Sequence, residues 1–124
     1  MNAYQLAQEW NDLRWGTVMA IKVMIGSKLV QLRARGICSL AVTDPSRLEE
    51  HVPDPENLIS YVKSLLAQTI TDLIGEQSSE VSDVALLTGV TTLTIELFQK
   101  KLESKFSAVG LKLKNVSIET IESL

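Results

Sequence analysis

The chain has 124 residues, 45% of them apolar, with 12 Lys and Arg against 15 Asp and Glu, one Cys, one His and a net charge of −3. A chain of this length buries roughly two-thirds of its unfolded surface and supports one domain with its own core, while a lone cysteine excludes an internal disulfide, a CxxC pair and a thiolate zinc finger. The acidic balance makes no case for a duplex nucleic-acid binder, which normally shows a strongly basic face, and no run approaches the ~18 uncharged apolar residues of a spanning helix.

In chain order, the first 16 residues hold Tyr4, Trp10 and Trp15 in a stretch with little regular pattern. They are set apart as an N-terminal segment, residues 1–16, ahead of a domain over 17–124. Aromatic residues in such a segment either dock on the core or cover another subunit. From Thr17 to Ile25 the odd positions Met19, Ile21, Val23 and Ile25 are apolar, the two-residue period of a half-buried strand. Gly26-Ser27 suits a type II′ hairpin turn. A second strand follows over Leu29 to Thr43, its even positions apolar from Val30 to Val42 and its odd side carrying Gln31, Arg33, Arg35 and Ser39. Gly36 interrupts the side-chain row and marks a bulge or a close backbone approach.

Asp44-Pro45 ends that strand, because proline removes a ladder donor and restricts the residue before it. A short helix is predicted from Ser46 to about His51, capped by Asp44 or Ser46 and closed by Pro53. Asp54-Pro55 then opens a five-turn helix in which Leu58, Val62, Leu65, Leu66, Ile70 and Leu73 recur at three and four residues, with Gly75 as its stop. A shorter helical piece opens at Ser82-Asp83, and after Gly89 a long helix runs from about Val90 to Val109 on the stripe Leu93, Leu97, Phe98, Leu102 and Phe106. Gly110 is placed for a left-handed C-cap. The alternation from Leu111 to Ile118 forms a last strand whose apolar phase shifts from odd to even, which requires a bulge near Asn115. The layout is α+β, a small sheet containing an antiparallel hairpin and packed by helices.

Charge is unevenly distributed: net +3 over residues 1–43, −7 over 44–83 and +1 over 84–124. An acidic block between basic ones is both what solvated helix faces look like and what attracts the neighbouring segment of a second copy.

Three segments carry a family resemblance: Arg14-Trp15-Gly16-Thr17 leading into a strand, the strand from Val30 through Arg33, Ala34, Gly36, Cys38 and Ser39 to Asp44-Pro45, and Gly110 to Ile121 after the last helix. Together they resemble the SPFH or Band 7 superfamily of stomatin, prohibitin and flotillin, with the nearest similarity to its soluble bacterial, virion-core-protein-like branch. The resemblance implies a non-catalytic scaffold that self-associates and, in a longer protein, organises a membrane-associated assembly. It implies homo-oligomers, peripheral contact with the inner face of a membrane from the cytoplasm, and no cofactor. It leaves out the N-terminal strand region and anchor, the coiled-coil extension and the zinc ribbon of some relatives, so the chain is expected to be a piece of something longer.

The residues offer no catalytic constellation. His51 lies among Glu49, Glu50, Asp54 and Glu56, the composition of a solvated helix. Cys38 falls on the apolar face of its strand and reads as a small buried hydrophobe. Ser39 lacks a G-x-S-x-G elbow, and the six glycines form no phosphate loop. The chain is therefore read as no enzyme, with no metal, no small-molecule substrate and no nucleic acid. The residues offered for an interaction surface are Arg33 and Arg35, Trp15, and the lysines Lys100, Lys101 and Lys105 of the last helix. The expected partners of Arg33 and Arg35 are acids of the helix layer, with an anionic partner or a neighbouring protomer as the functional reading.

Overall fold

The computed structural model describes residues 3–78 and 92–124. The elements are β1 (Glu9–Gly16), β2 (Ile21–Ile25), β3 (Lys28–Val42), α1 (Pro45–His51), a 3-10 turn (Pro55–Asn57), α2 (Leu58–Ser78), α3 (Thr92–Ala108) and β4 (Leu111–Ser123). The short helical piece expected at Ser82-Asp83 lies outside the described residues, as does the Gly89 break.

The long strand β3 organises the sheet. β4 pairs antiparallel with it from Leu32↔Ser123 to Val42↔Leu111. On its other edge β1 pairs over Arg35 to Ala41 and β2 over Lys28 to Leu32. The hairpin turn is Gly26-Ser27 as expected: Gly26 takes φ +62° and Ser27 has no positive φ, the sign pattern of a type II′ turn.

Bulges keep each strand's apolar residues on the covered face. In β4 the register shifts once between the partners of Ser39 and Leu40 and again between those of Arg35 and Gly36. The first shift takes up Lys114, beside the expected Asn115, and moves the buried phase from Leu111 and Leu113 to Val116 and Ile118. The second takes up Glu119 and returns the phase to Ile121. At Gly36 the backbones meet: a Cβ there would land on the Ser117 carbonyl oxygen and 2.8 Å from the Trp15 ring. Only glycine fits.

Three expectations are corrected. The N-terminal segment contains a strand, β1, which the sequence did not show. Its bulge at Asn11-Asp12, where Asp12 takes φ +55° and donates its N–H to Ser39 Oγ at 2.9 Å, breaks the two-residue period. The strand expected from Thr17 begins at Ile21, and Val18 and Met19 are 91% and 82% exposed. β1 ends opposite Arg35 and β2 begins opposite Leu32, so the connection advances along one edge of β3 by a few residues and its middle is pushed outward. Thr17 is its last tie, donating to the Ala34 carbonyl at 3.0 Å and accepting from the Ala34 N–H at 3.2 Å. Gly75 does not stop α2, which continues to Ser78. A glycine stop needs a left-handed backbone, which Gly110 adopts (φ +86°) and Gly75 does not.

Helices cover one face of the sheet. From α2, Leu58, Val62, Leu66, Ile70, Leu73 and Ile74 are buried, and from α3, Phe98, Leu102 and Phe106, against the even positions of β3. The caps are those the sequence carries. Asp44 Oδ1 accepts from the Arg47 N–H at 3.1 Å, and Asp54 Oδ1 from the Glu56 N–H at 3.0 Å. Leu48 and Val52 anchor α1 to the core.

Candidate interaction surface

The other face of the sheet is covered by no described helix. Residues directly opposite one another in antiparallel strands share a face, so the register alone assembles it. Arg33 and Arg35 project from β3 with Glu122 and Thr120 opposite them. Arg14 stands opposite Ile37, Lys22 opposite Gln31, and Lys112 opposite Ala41. All five basic residues are exposed, and among the described residues none forms an ion pair. Glu9, on the same face, is taken by Lys114 at 3.0 Å, and that hydrogen bond and charge hold its carboxyl below the ordinary range. Arg33 and Arg35 thus do not pair with acids of the helix layer as expected, because the sheet lies between them.

The other residues expected at this surface lie elsewhere. Trp15 is 3% exposed and packs on Phe98 with ring centroids 5.4 Å apart, so the alternative in which it docks on its own core holds. Its indole N–H is buried and has no hydrogen-bond partner among the described residues. Lys100, Lys101 and Lys105 belong to α3, on the helix side. Lys101 pairs with Glu76 of α2 at 3.3 Å and Lys105 donates to Thr69 Oγ1 at 3.0 Å, so two of these three amines bind the helices to each other. Arg14 and Lys22 were not among the basic residues the sequence singled out. Lys22 was legible as a polar-phase residue of its strand, while Arg14 and Lys112 join Arg35 only through pairings that sequence spacing does not reveal.

A second charged region lies on the helix side. Glu49, Glu50, Asp54 and Glu56 cluster in α1 and the 3-10 turn, and among the described residues none forms an ion pair. Their field reaches Tyr4, whose hydroxyl donates to the Val52 carbonyl at 2.8 Å: burial first, then Asp54 and Glu49, push its pKa up.

Reactive chemistry is poorly supplied. Burial pushes the Cys38 thiol up to about 12, far from a nucleophile's range, and leaves the side chain fully enclosed. His51 is exposed. A groove of about 560 Å³ runs between the Thr17–Met19 link and the outer side of α2, but its walls carry Ser60, Ser64, Ala67 and Thr71 with Lys63 and Asp72, and neither His nor Cys. Among the described residues no three His, Cys, Asp or Glu converge on one point, and no helix there is long and apolar enough to cross a membrane.

The chain matches the model of the SPFH domain-Band 7 family over residues 3–124. No curated protein matches it. The family match takes in β1 together with every other described element, and the mixed α+β architecture agrees with it. The chain therefore belongs to the SPFH/Band 7 family, whose members are generally membrane-associated, scaffold-like and non-enzymatic.

Proposed function

We propose that this domain is a non-catalytic scaffold or oligomerisation domain that organises a membrane-associated assembly, in the manner of the soluble bacterial, virion-core-protein-like branch of its family. It works from the cytoplasm, peripherally at the inner face of the membrane, as a homo-oligomer in the full-length protein, and it turns over no substrate. The observation that carries the reading is the uncovered sheet face, where Arg14, Lys22, Arg33, Arg35 and Lys112 stand together without ion-pair partners among the described residues. A face on which these five basic residues outnumber Glu122 and the Lys114-paired Glu9, carried on a rigid element, suits recognition by charge.

Sedimentation velocity over a concentration series is the test. The mass should rise with concentration at low ionic strength and fall back as salt shortens the Debye length from about 10 Å at 0.1 M to about 3 Å at 1 M. A chain that stays monomeric at every concentration and salt contradicts the reading. A monomer that binds one other protein through Arg33 and Arg35 would instead support the alternative function, a regulatory module recruiting a single partner.

A further inference from the structure

We infer that the uncovered face of the sheet docks on the acidic α1 corner of a second copy, so that copies join head to tail. The inference rests on the scaffold reading and names its partner.

The two patches cannot satisfy each other within one chain. Arg14, Lys22, Arg33, Arg35 and Lys112 share the face that the helices leave open. Glu49, Glu50, Asp54 and Glu56 hang from α1 and the 3-10 turn, which the buried Leu48, Val52 and Leu58 fasten to the helix side. The sheet stands between them. Nearby charges already engaged are distinguishable: Asp44 holds Arg47 at 3.8 Å and Glu9 holds Lys114. What remains is an excess of one sign on each side of the molecule.

A second copy removes both excesses at once. An anionic bilayer would suit the basic face equally well but would leave the acidic corner, on the far side of the sheet, without a partner. The contact joins two different patches, so it is heterologous: each copy that docks presents a fresh corner and a fresh face, and the assembly continues as a ring or a filament. Encounter is steered by the long-range field and is sensitive to salt.

The experiment uses two half-disabled variants of the chain, followed by sedimentation velocity and mass photometry. One carries Arg33→Glu with Arg35→Glu and keeps its acidic corner. The other carries Glu49→Lys with Glu50→Lys and keeps its basic face; Asp54 is spared because it caps the 3-10 turn. Each variant alone should raise the apparent dissociation constant of self-association at least about tenfold, since like charges then face each other. Mixed in equal amounts, the two should assemble again, because the intact basic face of one meets the intact acidic corner of the other and the two reversed patches are themselves opposite in sign. The milder pair Arg33→Gln and Arg35→Gln gives the same ordering with a smaller shift if charge reversal disturbs folding. Wild-type-like assembly by either variant, or variants that fail to complement on mixing, would overturn the head-to-tail contact while leaving the scaffold reading intact. A wild-type chain that never self-associates sinks both. Loss of binding to phosphatidylserine vesicles by Arg33→Glu/Arg35→Glu, with its self-association unchanged, assigns the face to a bilayer and also overturns the inference.

Discussion

The two faces of β3 share one backbone and one set of ladder hydrogen bonds, yet they are built for different purposes. At the even positions Leu32, Cys38 and Leu40 are fully buried, while Arg33 and Arg35 between them stand in solvent. Ser39 is the instructive exception, an odd position only 2% exposed because the β1 bulge arches over it and its hydroxyl accepts the Asp12 N–H. One face is selected for volume and close approach, the other for charge. Substitutions on the first should cost stability, and substitutions on the second should cost association.

The largest expected effect is at the closest approach of the covered face. Gly36→Ala places a Cβ against the Ser117 carbonyl and the Trp15 ring, and neither neighbour is a flexible side-chain end. Backbone must move, and the cost should be about 3 kcal/mol, at the upper end for overpacking. Urea unfolding measures it. A variant as stable as wild type would show that β3 and β4 are not in this register.

Cys38 sharpens the same contrast chemically. Cys38→Ser puts a hydroxyl into an enclosed apolar site and should cost about 1 to 3 kcal/mol if no partner is found. The thiol also gives the covered face a pH signature. Its folded pKa is raised to about 12 from an ordinary 9.0, so between these values the unfolded chain loses a proton that the folded chain keeps. Stability is unaffected below about 9 and declines as pH rises, by about 1.4 kcal/mol per unit within the window. Comparing wild type with Cys38→Ala at each pH isolates this slope from the titration of Lys and Tyr. Equal slopes would mean that the thiol is solvated. Rapid reaction with a thiol reagent in the native state would say the same.

How much of this was legible in the sequence depended on whether the signal was local. The β2–β3 hairpin, the phase shift in β4, the Asp44 and Asp54 caps and the Gly110 stop all rest on residues within a few positions of each other, and the structure keeps them. β1 was not legible, because Trp10, Leu13 and Trp15 are spaced by three and then two across a bulge, which matches no regular period. Arg33 and Arg35 could be placed on one face by strand alternation. Their separation from Lys101 and Lys105, and their union with Arg14 and Lys112, depend on pairings between distant segments. Trp15 carried no sign of whether it would meet its own core or another subunit, since the choice is made by Phe98 and Gly36.

The smallest expected change in stability is on the open face, where it is most informative. Arg35 is exposed, without an ion pair among the described residues, and flanked on its own strand by Arg33. Arg35→Ala should therefore shift unfolding by less than about 0.5 kcal/mol, as surface substitutions away from packed features do. The sign should be stabilising at low salt, because the substitution relieves repulsion among like charges. That gain should vanish near 1 M salt, where the Debye length is about 3 Å. Urea titrations at two ionic strengths, run at concentrations too low for self-association, separate this effect from any interface. A salt-independent loss of stability would show instead that the Arg35 stem packs on the sheet, and the division between a face for stability and a face for association would then fail at its central residue.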